Sequence, residues 1–248
     1  MNTNLPLLAS IFVAATTLCA QAPKASNLSE WTANQDFMAG VLREVTTPRY
    51  GFFITNKGVL AGFHSADGKI LVNTLGEFIL QRVQTGADGR IEHSHAGWIN
   101  DAATNASVSE TQTDGQRTLV VGIEHPRVRI TSRIVCRRDG LSISYEFEPI
   151  DFPSDQSLSL VFPVNVQADN LDLSQARDTS NPLNMYTPQG LGLHLEYGDN
   201  FKPYNRSGPS VVARVPAITF YPFSSTEALP AGTKIPLSLQ LTLSAPRP

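Results

Sequence analysis

The sequence predicts an all-β protein, a large antiparallel β-sandwich of long meandering strands, and three observations predict it. Asp-Gly pairs recur at Asp67-Gly68, Asp88-Gly89, Asp114-Gly115 and Asp139-Gly140, 21, 26 and 25 residues apart. Each interval holds two strands of about ten residues joined by turns that tolerate positive φ. Apolar and polar residues alternate with period two around the last pair, and no helical segment interrupts residues 49 to 164. That pattern argues against a parallel βαβ architecture.

Arg127 to Pro149 is the clearest element. With Asp139-Gly140 as a two-residue type I′ loop, Cys136 faces Ile143, Ile134 faces Tyr145 and Ser132 faces Phe147 on an inward side. Arg137 faces Ser142, Val135 faces Ser144, Arg133 faces Glu146 and Thr131 faces Glu148 on a polar outward side. The stripe Arg127, Arg129, Arg133 and Arg137 is thereby answered by acidic partners and reads as a self-neutralised sheet face.

Residues 1–22 hold an uncharged apolar run from Leu5 to Ala20 and a small-x-small pattern at Ala20-Gln21-Ala22, which reads as a signal peptide. The mature chain is then secreted or periplasmic, with no membrane span and Cys136 as its one thiol. Cys136 falls on the inward side, where an apolar setting makes it inert. Nineteen Lys and Arg against 22 Asp and Glu give a net charge of −3, leaving no basic field for nucleic acid. Sequons stand at Asn27, Asn105 and Asn205.

Residues 23–48 read as a strap or short helix, from the spacing of Trp31, Phe37, Met38, Val41, Leu42 and Val45. Residues 49–248 form one sandwich domain. Its first strands, Arg49 to Thr55 and Val59 to Ser65, are joined by Asn56-Lys57-Gly58. Its closing strands are Ser157 to Val164, Gly190 to Tyr197, Val211 to Phe223 and Ile235 to Ser244. A loop region, 169–210, is rich in Asn, Asp, Pro, Gly and Tyr, and a connection of that length suggests function.

The strand pair Asp139 to Phe147 and Ser157 to Pro163, within a long-stranded region of residues 49 to 244, resembles the β-supersandwich family that includes galactose mutarotase and domains of polysaccharide lyases and glycoside hydrolases. The resemblance implies a carbohydrate-related role. No catalytic signature of that family maps residue by residue onto this chain.

Candidate site residues fall in three places. His93 and His95 form a His-x-His on one strand face, and the Asp88-Gly89 turn sets them opposite Gln84 and Arg82, a polar surface suited to sugar hydroxyls or anions. His194 and Glu196 share a strand face, an arrangement that serves acid–base chemistry where a cleft tunes both groups. In the loop region Tyr186, Tyr197 and Tyr204, with Arg206 and several Asn and Asp, combine flat rings for a sugar's C–H face with polar groups for its hydroxyls. Tyrosines so placed serve equally as anchors that hold the loop down. Asp169, Asp172 and Asp178 lack a calcium-loop spacing, so no metal and no cofactor are expected.

The first expectation is an exported carbohydrate-binding or accessory β-sandwich domain with an oligo- or polysaccharide partner. The alternatives are a carbohydrate-active enzyme of lyase, glycoside hydrolase or epimerase type using His93, His95, His194 and Glu196, and a structural envelope-associated protein. The enzyme alternative requires the two histidine strands to converge on one cleft.

Overall fold

Alternation decides which side of each strand is buried, and it is cleanest around residues 128–149 and 235–244. Ile130, Ser132 and Ile134, then Leu141, Ile143, Tyr145 and Phe147, then Leu237, Leu239, Leu241 and Leu243 are buried, while the residues between them are exposed or half-buried. The computed structural model of the protein describes residues 27–33, 40–85, 87–88, 91–100, 104–150, 157–167, 170–172, 181–198, 203–205, 217–224 and 234–244. For 30, 31, 33, 80–85, 91–98, 157–163, 203–205 and 217–224 it describes the backbone alone. The signal-peptide segment and Arg206 lie outside the described residues.

One short helix, α1 (Leu28–Ala33), precedes β1 (Val41–Thr46), β2 (Tyr50–Thr55), β3 (Leu60–Ser65), β4 (Ile70–Leu75), β5 (Ile79–Thr85), β6 (Ile91–Trp98), β7 (Asn105–Thr113) and β8 (Gln116–His125). Then follow β9 (Val128–Arg137), β10 (Gly140–Pro149), β11 (Ser157–Val166), β12 (Leu183–Tyr186), β13 (Gly192–Tyr197), β14 (Pro203–Asn205), β15 (Ala217–Ser224) and β16 (Ile235–Ser244). They make two antiparallel sheets. The large sheet has nine strands, β1-β2-β3-β4-β11-β15-β14 with β5 paired to β11 and β6 to β5. The small sheet has seven, β12-β13-β16-β10-β9-β8-β7.

One apolar cluster fills the space between the sheets. Phe52, Ile54, Phe63, Leu71, Leu75 and Phe78 come from the large-sheet side, and Ile130, Ile143, Tyr145, Phe147, Leu239 and Leu241 from the small sheet. Phe78 meets Tyr145 and Phe147 edge-on at ring separations of 5.5 and 4.9 Å. The Tyr50 hydroxyl ties the sheets by donating between the carbonyls of Arg137 and Gly140, at 2.8 and 2.7 Å. Cys136 packs against this cluster, and burial pushes its thiol above the usual range. A second, smaller cluster, Phe53, Ala61 and Ile70 with Leu28 and Val41, lies on the outer face of the large sheet beneath α1.

The all-β sandwich is as the sequence predicts, but several local details differ. Val41 to Val45 belongs to an edge strand, β1, and α1 covers only six residues of the expected strap. Strands β2 and β3 lie where expected, but β4 and β5, between the first two Asp-Gly pairs, have six and seven residues and not about ten. β4 and β5 are not partners, since both run along β11, β4 against residues 164–166 and β5 against 157–161. They are two collinear halves of one strand, interrupted at Gly76-Glu77-Phe78.

The central hairpin keeps its predicted faces but slides by two residues. Cys136 pairs with Leu141, Ile134 with Ile143, Ser132 with Tyr145 and Ile130 with Phe147, around an Arg138-Asp139 loop. Both registers bury the same side chains, so patterning cannot choose between them. Gly140 is needed for close approach instead of for the turn: a Cβ there would run into the Leu241 carbonyl of β16. The cross-strand ion pair is therefore Arg129 with Glu148, at 3.0 Å, and Glu146 meets Lys234 at 2.7 Å. Asp114-Gly115, with φ of 51° and 76°, is a type I′ turn as expected.

Candidate functional site

The hairpin β12–β13 brings predicted site residues together. Thr187 N–H donates to the Leu191 carbonyl and Gly190 N–H to the Thr187 carbonyl, with Gly190 at φ 83°, so Pro188-Gln189-Gly190 is a three-residue loop. That loop pairs Asn184 with His194 and Tyr186 with Gly192. Across β16, His194 lies beside Thr242 and Gly192 beside Ser244. Leu183, Met185, Leu193, Leu195 and Tyr197 point into the core, which leaves Asn184, Tyr186, His194 and Glu196 on the outer face of the small sheet.

On that face the half-buried His194 is held from two sides. Its Nδ1 bonds Asn184 Oδ1, and because an amide oxygen only accepts, Nδ1 carries the proton and Nε2 the lone pair. The Tyr186 ring meets the imidazole edge-on, with centroids 6.0 Å apart. A Cβ on Gly192 would run into Ser244 Oγ and lie 2.9 Å from His194 Nε2 and 3.2 Å from Tyr186 Cε1. The missing side chain lets a hydroxyl, an imidazole acceptor and an aromatic ring close down over the bare backbone, so the notch at Gly192 is their cluster and not an open space. The pairing of Gly192 and Ser244 with the predicted residues follows only once the Pro-Gln-Gly loop is read as centred on Gln189.

Other predicted residues lie elsewhere. Tyr197, expected in a recognition loop, ends β13 with its ring in the core, and the Asn181 amide clasps its backbone, donating to its carbonyl at 2.6 Å and accepting from its N–H at 3.0 Å. Tyr204 belongs to β14 in the large sheet, so it does not share a face with Tyr186. Glu196 lies one row from His194, beside Gln240.

His93 and His95 are on β6 of the large sheet, with a register one residue off the expected one. His93 pairs with Val83 and His95 with Gln81, because the connection is centred on Asp88 and not on the Asp88-Gly89 bond. Gln84 and Arg82 instead pair with Glu92 and Ser94. His93 and His95 thus belong to the large sheet and His194 and Glu196 to the small one, so the two pairs stand on different sheets.

The outer face of the large sheet carries two further polar groups that no motif flags. His64, only 8% exposed, sits over Gly51, and its Nδ1 donates to the Gly62 carbonyl at 2.7 Å. Burial holds its pKa below the ordinary imidazole value. Glu77, at the break between β4 and β5, accepts on Oε2 from Thr74 Oγ1 and Asn165 Nδ2, both at 2.7 Å. Burial pushes its carboxyl above the usual range against the opposing effect of those two bonds. A shallow groove of about 550 Å³ under α1 is lined by Asn27, Ser29, Thr32, Glu44, Phe53 and Asp67 among others. Among the described residues no group of three or more His, Cys, Asp or Glu is placed to hold a metal ion.

No family model and no curated protein matches the chain in sequence. Solved structures match it in shape. A putative aldose 1-epimerase from Escherichia coli K12 superposes with a TM-score of 0.50 at 11% identity, covering 82% of this chain and 98% of that one. A protein from Synechocystis sp. PCC 6803 does so with a TM-score of 0.51 at 9% identity, over 82% and 95%. At these identities the likeness is one of fold, and the chain has the antiparallel sandwich of a putative aldose 1-epimerase over most of its length.

Proposed function

We propose that the protein is an exported carbohydrate-binding β-sandwich protein whose recognition site is the notch at Tyr186, Asn184, Gly192, His194 and Ser244. The notch is the observation that carries this reading. A sugar presents an apolar C–H face flanked by hydroxyls, and the notch offers Tyr186 for the first and Ser244 Oγ and His194 Nε2 for the second. The His194 tautomer, fixed by Asn184, suits it to accept from a hydroxyl. The shared fold with a putative aldose 1-epimerase adds weight to the ligand class. Catalysis by His93, His95, His194 and Glu196 acting together has no support, because their strands lie in different sheets.

The test is a calorimetric binding screen against neutral polysaccharides (dextran, xylan and galactan), with wild type and Tyr186→Ala in parallel. Weaker binding by the variant at an unchanged melting midpoint supports the proposal. Undiminished binding by the variant, or no binding by either protein, counts against it.

A further inference from the structure

Phe162 and Pro163 of β11 stand opposite the interruption of β4 and β5, and Pro163 has no amide hydrogen that would need a partner. At the break Phe78 turns into the core, its N–H capped by Asn100 Oδ1 at 2.7 Å, and Glu77 is left on the outer face. Asn165, paired with Thr74 across β4 and β11, donates through Nδ2 to Thr74 Oγ1 at 2.5 Å and to Glu77 Oε2 at 2.7 Å. The node thereby spends its donors inward. Glu77 Oε1 and Asn165 Oδ1 take no hydrogen bond from the described residues, and neither is a sealed-off atom.

The geometry points to a second ligand site here, in which Glu77 Oε1–H donates and Asn165 Oδ1 accepts, and the ligand is the vicinal diol of a neutral polyol such as a sugar unit. Because Oε2 already accepts two bonds, a proton on this carboxyl resides on Oε1, which makes the open pair one donor and one acceptor. Two adjacent hydroxyls match that pair, each able to give and to take. A cation fits poorly: the node has one carboxyl, burial opposes its ionisation, and hard cations call for six or more oxygens. Among the described residues the groups that face Glu77 are Thr74 from β4 and Asn165 from β11, neither of which titrates, and no charged side chain is among the causes of its shift. The site shares its ligand class with the notch but lies on the opposite outer face, so either can fail without the other.

The experiment uses the full chain in a Tyr186→Ala background, which weakens the notch, with the same dextran, xylan and galactan probes by calorimetry from pH 4 to 8. Residual binding is expected. Glu77→Leu should weaken it about three- to tenfold, as for the loss of a neutral hydrogen bond. Glu77→Gln should keep it, because the donors Thr74 and Asn165 hold the amide oxygen inward and leave the amide N–H where Oε1–H stood. Binding with Glu77 intact should weaken as pH rises and the carboxyl ionises, while binding by Glu77→Gln stays flat. Absence of residual binding, or residual binding indifferent to Glu77→Leu or with the same pH profile as Glu77→Gln, overturns the proposal. Should Glu77→Leu fail to fold, the pH profiles of Glu77 and Glu77→Gln decide alone.

Discussion

Two histidines in this molecule are built alike and differ in what lies over them. His64 and His194 each carry the proton on Nδ1, held by an amide or peptide oxygen, and each ring lies close to a glycine, Gly51 on the neighbouring strand for His64 and Gly192 two residues back on its own strand for His194. His64 is sealed on the large sheet beside Phe53, at 6.2 Å between rings, with the apolar cluster under α1 next to it. His194 stays half-buried on the outer face of the small sheet, although its glycine is packed as closely as Gly51. The same local device is thus covered on one sheet and left at the surface on the other, and the proposed recognition site uses the uncovered one.

Adding a methyl group at each glycine sharpens the contrast. Gly51→Ala should cost about 1–3 kcal/mol, the usual range for overpacking. Its Cβ would lie 2.5 Å from His64 Nε2 and 3.0 Å from the Val45 carbonyl, in a buried place with no slack. A melting midpoint equal to wild type would show that His64 is free to move and break the comparison. Tyr186→Ala should weaken polysaccharide binding by about 1–3 kcal/mol, as for other aromatic anchors, with little change in melting. A lowered midpoint with no change in binding would make Tyr186 an anchor of its hairpin.

The two faces should also differ in pH response. His64 has a folded pKa below its ordinary value of 6.5, so as pH falls below that value the unfolded chain takes up a proton before the folded one does. Stability contributed by neutral His64 is lost over that window and levels off below the folded pKa; His64→Gln should remove this slope. Glu77 runs the other way. Its folded pKa lies above the ordinary 4.5, so stability relative to Glu77→Gln should fall as pH rises from 4.5 through the raised value. Denaturant midpoints across pH, compared between wild type and each variant, check both signs.

The sequence made faces legible and registers less so. The alternation through Ile134, Ile143, Tyr145 and Phe147 identified the buried side of the hairpin, but a slide of two residues leaves that pattern intact. What chose the register was a contact from β16, over a hundred residues away, against Gly140. The β5–β6 slip has a different cause: Asp88-Gly89 looks like a two-residue turn, yet the connection is longer, and a change of one residue exchanges Arg82 and Gln84 for Gln81 and Val83 beside the histidines. Tyr186 and His194 were visible as residue types. Their partners Gly192 and Ser244 were not, because a glycine announces a notch only when its neighbours are known. Glu77 and His64 belong to no motif, and their significance comes from burial alone.

The notch itself is tested most directly by Gly192→Ala, whose methyl group would displace Ser244 Oγ and His194 Nε2 and press on the edge of Tyr186. Binding to dextran, xylan and galactan is measured by calorimetry beside thermal melting, with wild type as reference. About a tenfold or greater loss of affinity is expected, as for other recognition-site substitutions, in a protein that stays folded and is destabilised by about 1–3 kcal/mol of overpacking at most. Full affinity in a stably folded Gly192→Ala protein would contradict it.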